Sequence, residues 1–424
     1  MGFLMSNKNI EFKDSGIPWI GEIPKHWEVK RLKFIIENSI SGEVIDKGYW
    51  NSGNEFLYTC QKEPMFSDFD KFPENKRTRG NCLLLTRNAT PYIFIPKDNA
   101  IFSNVVQKII LFKKYDKRYI KYSIQIGANS LLVNGDIIPS YNMQVWNNIY
   151  FCDIPLNEQE KIAEFLDKKC EIIDKRLSNL ERKIKSLKEY KKSLISECVT
   201  KGLNPKNMEF KDSGIHWIGE IPKHWEVTKI KMYYKVILGK MLANNPSSID
   251  DTLENYLSAI NIKFEGVNTS EQKQMFFNKR EKELYLLKQG DVLISEGGDA
   301  GTACVYNNEF YPCYIQNAVH KVITKNSKKA INKFLYYWIF FIKSVGYVNL
   351  ICNKATLMHF TKEKVENNFI FLPPLNEQKE IAEFLDKKCE KIDRLNENYT
   401  KQITALKEYK KSLIYECVTG KKEI

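Results

Sequence analysis

PLNEQEKIAEFLDKKCEIIDKRLSNLERKIKSLKEYKKSLISECVTKGLNP, residues 155–205, decides the fold, and the segment from Pro374 to Ile424 nearly repeats it. Leu166, Ile173, Leu180, Leu187 and Leu194 recur every seven residues; Cys170, Leu177, Ile184, Lys191 and Cys198 form a second seven-residue series, offset by four. An interleaved 4-3 pattern of this length predicts a coiled-coil seam rather than the stripe of a short core helix. The second copy carries Leu385, Ile392, Tyr399, Leu406 and Leu413 on one series and Cys389, Asn396, Ile403, Lys410 and Cys417 on the other.

The ends are marked. Asn157 with Glu160 predicts an N-cap with its capping box; Asn376 repeats the cap, but Lys379 leaves that box incomplete. Gly202 and Gly420 stand where a C-terminal glycine stops each helix. From Asn157 to Thr200 the helix would run about 66 Å.

Charge sets the orientation. Glu158–Asp174 holds six acidic and three basic residues, and Lys175–Lys192 holds two acidic and eight basic. The second helix has the same polarity: six acidic to four basic over Glu377–Asp393, then two to five over Arg394–Lys411. A parallel pair sets acid against acid, whereas an antiparallel pair sets acid against base along its length. Each exposed pair contributes little, but the sum predicts an antiparallel coiled coil within one chain. Asn396, Lys191 and Lys410 are polar seam residues that fix register at some cost in stability.

The chain has 424 residues, a formal net charge of +13 and 43% hydrophobic residues, enough for two or three domains with real cores. The basic balance suggests a polyanion partner such as nucleic acid. Ten Cys contain no CxxC pair and the five His are scattered, which argues against a zinc finger or a disulfide framework. The expected compartment is the reducing cytoplasm. The longest apolar run, Phe334 to Ile342, is too short to span a bilayer.

A second repeat precedes each helix. EFKDSGIPWIGEIPKHWEV from Glu11 returns from Glu209 with Pro18 replaced by His216, an offset of 209 − 11 = 198. The helices repeat at 376 − 157 = 219, so the second globular part is longer by 219 − 198 = 21 residues. The organisation is therefore a tandem duplication: residues 1–154 and 206–373 as two α+β domains, each followed by a long helix, 155–205 and 374–424. Trp19 and Trp27 read as apolar anchors of a strap on its own domain, with His26 and His224 packed or exposed rather than catalytic. Between strap and helix the copies diverge around a common skeleton. Cys82–Thr86 and Val292–Ser295 read as strands, followed by the loops Arg87-Asn88-Ala89 and Glu296-Gly297-Gly298. Asn104–Lys108 and Asn317–Lys321 each head another strand, and Tyr119–Ile126 and Phe334–Ile342 read as helices.

The GIPWIGEIPKHWEV opening, the strand Gly290–Ser295 and the Pro-Leu-Asn-Glu-Gln-(Lys/Glu)-x-Ile-Ala-x-Phe-Leu helix start together resemble the specificity subunit of type I restriction–modification enzymes. The similarity covers nearly the whole chain. It implies that each target-recognition domain reads one half of a bipartite asymmetric DNA site and that the helices set the spacer. It also implies assembly with two methyltransferase subunits and, for cleavage, with ATP-driven restriction subunits. The first domain departs most, having Gly80-Asn81-Cys82 where the second has Gly290-Asp291-Val292.

The residues agree. No Asn/Asp-Pro-Pro-Tyr/Phe word for adenine methylation, no glycine-rich S-adenosylmethionine loop and no GxxxxGK[ST] phosphate loop occurs. The chain is thus read as non-catalytic, with no metal or cofactor of its own; S-adenosylmethionine, ATP and Mg2+ are expected on partner subunits. A self-sufficient methyltransferase or nuclease and a coiled-coil adaptor for acidic proteins are the competing readings. For DNA contact, Lys76, Arg77, Arg79, Lys279, Arg280 and Lys282 are candidates for the phosphate backbone. Arg87 and Asn88 are candidates for base edges, with Ser295, Glu296, Gly297 and Gly298 near the duplex and Lys354 and Thr356 in a later loop.

Overall fold

In the computed structural model, which describes residues 11–129, 140–352 and 358–424, two helices of 46 and 44 residues span Leu156–Lys201 and Leu375–Val418. The compact units do not follow chain order. One comprises the residues up to Glu181 together with Thr400–Ile424; the other comprises Arg182–Tyr399. Each unit therefore holds one globular body, the start of one long helix and the end of the other.

Within each unit the two helical segments run antiparallel. In the first, Lys410 Nζ lies 2.7 Å from both carboxylate oxygens of Asp174. In the second, Lys191 Nζ lies 2.8 and 2.7 Å from those of Asp393. Both polar seam lysines thus meet an aspartate from the acidic half of the opposite helix, the pairing that the charge distribution predicts. Leu166, Cys170, Ile173, Leu180, Leu413 and Cys417 are buried in the first unit, with Leu177, Ile403 and Leu406 half-buried. Cys198, Leu385, Cys389 and Ile392 are buried in the second, with Ile184, Leu187, Leu194, Asn396 and Tyr399 half-buried. Most of the half-buried positions fall towards the middles of the helices; Leu194, near an end, packs against the core of the second body. Near the ends the globular bodies add their own cover.

The helix starts differ from expectation. Helix begins at Leu156 and Leu375, so Asn157 and Asn376 lie inside the first turn and form no cap. The carbonyl of Pro155 accepts from the Glu158 and Gln159 amides, both at 3.0 Å, and that of Pro374 from the Gln378 amide at 3.0 Å. The polar side chains of this word are instead used by the body. Gln159 Oε1 accepts from the Asp116 amide at 2.9 Å and its Nε2 donates to the Ile154 carbonyl at 2.8 Å. Gln378 repeats this with the Ile331 amide at 3.1 Å and the Pro373 carbonyl at 2.8 Å. Gly202 and Gly420 do end the helices, with φ of +76° and +72°.

The strap has the structural role expected of it. Trp27 and Trp225 are buried, and their indole N–H groups donate to Glu158 (3.0 Å) and Glu377 (3.1 Å). The same glutamates meet His26 Nε2 at 3.4 Å and His224 Nε2 at 2.8 Å. Each KHW word thereby locks its own body onto the first turn of its own helix. Glu28–Arg31 pairs antiparallel with Tyr150–Asp153, and Glu226–Lys229 with Phe369–Leu372, so the strand before each helix is tied to the strap.

The two bodies share one topology. In the first, an antiparallel sheet runs in the order Ile36–Ser41, Val106–Leu111, Cys82–Thr86, Ile93–Phe94; in the second, Tyr234–Leu238, Val319–Thr324, Val292–Ser295, Ala303–Val305. Both central strands are buried on both faces, which accounts for their unbroken apolar runs. Helices Lys117–Asn129 and Asn332–Ser344 pack against the sheets. A smaller three-stranded sheet lies beside each: Met65–Ser67, Trp50–Tyr58 and Ile101–Phe102, matched by Lys273–Phe277, Thr252–Leu257 and Tyr314–Ile315. No helix among the described residues is long and apolar enough to cross a membrane.

Candidate nucleic-acid interface

Beyond the central strand of each body the chain turns back, and three segments meet there. In the first unit the Arg87 amide donates to the Val105 carbonyl at 2.8 Å, and the Arg87 carbonyl accepts from the Tyr141 amide at 2.6 Å. In the second, the Glu296 amide donates to the Ala318 carbonyl at 2.9 Å, and its carbonyl accepts from the Phe360 amide at 2.8 Å. A loop after one strand, the turn before the next and the segment leading to the long helix are thus bound together in the same way twice.

A buried lysine supports each body from beneath. Lys108 donates to the carbonyls of Lys76 (2.6 Å) and Arg77 (2.9 Å). Lys321, at the matching place in the strand, donates to those of Leu284 (2.8 Å) and Leu286 (2.9 Å). Burial lowers both lysine pKa values from the ordinary ammonium range. An ammonium taken from water keeps its charge only with such acceptors around it, so each lysine pins the segment carrying the basic candidates. The neighbouring ion pair is reversed between the copies: Lys76 meets Glu43 in the first, and Lys240 meets Glu281 at 2.5 Å in the second. Glu43 and Lys240 both follow a glycine whose added Cβ would collide with backbone, Gly42 and Gly239, which makes them equivalent positions.

The model of the type I restriction modification DNA specificity domain matches residues 222–405. The chain is 27% identical over 427 residues to the type I restriction enzyme MjaVIII specificity subunit of Methanocaldococcus jannaschii, covering 94% of this chain and 93% of that one. Over nearly its whole length the chain is similar to type I specificity subunits. A second relative from the same organism, named as the MjaX specificity subunit, is 30% identical over 276 residues, or 63% of this chain; the match spans 58% of that relative's length. A solved structure described as showing complex assembly and conformational transition of the type I R-M system has a similar fold. Its TM-score is 0.66 at 17% identity, covering 94% of this chain and 99% of that one.

The expected contact residues divide sharply. Arg77 is corrected to a structural cation: it is only 9% exposed, its guanidinium donates to both oxygens of Glu55 at 3.1 Å and to the Asn99 carbonyl at 2.9 Å, and Glu74 lies 2.9 Å from its Nε. Glu55 and Glu74 reach it from separate segments, which no local pattern announces. Lys76 is half-buried on Glu43. Arg79 is exposed, against Glu74 and 3.2 Å from the Asn99 side chain. Ser295, expected near the duplex, is buried, with its hydroxyl donating to the Gly297 carbonyl at 2.7 Å, and shapes the turn.

Lys279 and Arg280 are exposed on the helix Lys279–Tyr285, and neither has an ion pair among the described residues. That helix starts with a full capping box between Asn278 and Glu281. Lys282 points inward, 3.0 Å from Thr252 Oγ1 and 3.5 Å from Glu254. Arg87 is half-buried, whereas Asn88 and Gly298 are exposed; Glu296 and Gly297 are half-buried. Lys354 and Thr356 lie outside the described residues.

Sequence reasoning missed Lys343, which is half-buried and braces the second turn. Its Nζ lies 2.6 Å from Asp299 Oδ1, 2.8 Å from the Ala300 carbonyl and 2.8 Å from Thr302 Oγ1. Lys108 and Lys321 were visible as a matched word, NxVxK, but not as buried cations. Among the described residues no group of three or more His, Cys, Asp or Glu is gathered as for a metal.

Proposed function

We propose that this chain is the sequence-reading, non-catalytic subunit of a type I restriction–modification system, with each globular body reading one half of a bipartite asymmetric DNA site. One observation carries the reading: the same backbone frame occurs twice, and the side chains at the equivalent loop positions Arg87 and Glu296 differ in charge. A frame used twice with altered loops suits two targets read by one scaffold. The net charge of +13 suits a phosphate backbone.

The long helices then serve as spacer and as the docking surface for two methyltransferase subunits, with restriction subunits joining the full complex. S-adenosylmethionine, ATP and Mg2+ belong to those partners, and the site of action is the cytoplasm. The test is exchange of one body. Replacing residues 30–154 by those of another member of the family, in cells supplying a cognate methyltransferase, is followed by sequencing of DNA methylation. One half of the modified site is expected to change while the other stays. A change in both halves, or no bipartite modified site for the parent chain, overturns the reading.

A further inference from the structure

The turns Arg87-Asn88-Ala89 and Glu296-Gly297-Gly298 share more than their anchoring hydrogen bonds. Ala89 and Gly298 both have a φ of +65°. A left-handed backbone is ordinary for glycine and costs an alanine about 1–2 kcal/mol. The first copy holds Ala89 there because the bonds flanking Arg87 fix the path of the chain. The hydroxyl of the preceding residue closes each turn: Thr86 Oγ1 donates to the Thr90 carbonyl at 2.5 Å, and Ser295 Oγ to the Gly297 carbonyl at 2.7 Å. Arg87 and Glu296 therefore leave the equivalent position of two turns anchored by the same backbone hydrogen bonds, one as a guanidinium and one as a carboxylate.

Among the described residues neither charged group has a full set of partners. The sole hydrogen bond of the Arg87 side chain among the described residues is a long one, 3.5 Å from Nη1 to the Asn104 carbonyl, and no carboxylate meets it. The Glu296 carboxylate accepts no hydrogen bond among the described residues. Its nearest basic neighbour is His320 Nε2 at 3.9 Å, and that N–H is already donated to the Phe360 carbonyl at 2.8 Å. Burial pushes the His320 pKa down to about 4, so the ring is neutral at pH 7. Burial also raises the Glu296 pKa, with His359 opposing the shift. A partly desolvated carboxylate without a donor, in a chain rich in lysine, is a group awaiting a donor from outside.

Resting on the recognition reading above, we infer that Arg87 and Glu296 are one specificity position used twice. Arg87 selects a guanine in one half-site and Glu296 a cytosine in the other. A guanidinium donates two N–H groups to the guanine O6 and N7 acceptors, and a carboxylate accepts from the cytosine N4 amino group. Exchange is disfavoured on both sides, because a carboxylate facing guanine's two acceptors is repelled.

The parent chain is first expressed with a cognate methyltransferase and its modified site sequenced. Absence of a bipartite site would sink the recognition reading itself, before any variant is made. Given such a site, Arg87→Gln and Glu296→Gln are compared with it. Each is expected to alter a single base position, in opposite halves, with discrimination at that base falling between about five-fold and about 150-fold. The parental bases there are guanine for the first and cytosine for the second. An unchanged site with uniformly weaker modification would make Arg87 a phosphate contact and overturn the inference, as would a change in the same half for both variants. A variant that modifies nothing is scored by mobility shift on the parental site and its single-base substitutions. Preference lost at one position supports the inference, and preference unchanged at every position overturns it.

Discussion

If the helices measure the gap between half-sites, lengthening them lengthens the gap by a calculable amount. The perturbation is one extra heptad in each helix, between Glu181 and Arg182 and between Tyr399 and Thr400. Both points coincide with the boundary between the two compact units, so neither globular body nor its own helix segments are cut. Seven residues preserve the 4-3 phase of the seam, which passes through Leu180 and Leu187 in one helix and Tyr399 and Leu406 in the other. The addition is about 10 Å at roughly 1.5 Å per residue, or about three base pairs at roughly 3.4 Å each. Three pairs turn the groove by about a third of its ten-pair repeat, whereas a heptad drifts the helix by only about 20°. A preferred spacer about three pairs longer, with reduced activity from the unmatched twist, is therefore expected. The assay is selection of modified sites from a library with unchanged half-sites and random spacers of varied length. A preferred spacer identical to the parent's, in a folded and active variant, would refute the ruler.

Arg77→Ala should destabilise the first unit by about 2 kcal/mol or more, because Glu55 and Glu74 lose a buried partner; urea unfolding reads this. By contrast, Lys279→Ala with Arg280→Ala should leave stability within about 0.5 kcal/mol while flattening the salt dependence of DNA binding by about one unit of slope for each phosphate no longer neutralised. His320 has a folded pKa of about 4 against an ordinary 6.5. The unfolded state therefore takes up the proton first, and stability of the second unit should fall as pH drops from 6.5 towards 4, by up to about 3 kcal/mol. His320→Gln, the residue type of Gln107 in the first copy, should flatten the loss in that window while keeping a donor for the Phe360 carbonyl. Gly420→Ala should be worse than Gly202→Ala in thermal unfolding. Its Cβ would lie 2.5 Å from the Pro24 ring and 3.0 Å from Trp27, whereas the nearest atom at Gly202 is a Glu377 oxygen at 3.0 Å.

The sequence by itself determined the duplication, the seam and its antiparallel sense. These follow from periodicity and from the sum of many charges, and a sum survives ignorance of any single contact. It also placed the central strands Cys82–Thr86 and Val292–Ser295, because a strand buried on both faces must be apolar throughout. Only the tertiary structure decided which charges are free. Arg77 and Arg79 are two residues apart in one basic run, yet Arg77 is sealed by Glu55 and Asn99 while Arg79 stays at the surface. The helix starts show the same limit. Asn157 and Glu160 suit a cap, but the body takes Glu158 and Gln159 as anchors and the helix begins two residues earlier, at Leu156. The equivalence of Arg87 and Glu296 was hidden for a further reason. Their separation, 296 − 87 = 209, matches neither the strap offset of 198 nor the helix offset of 219. Loops of different length break the sequence alignment, while hydrogen bonds between segments distant in the chain restore the correspondence in space.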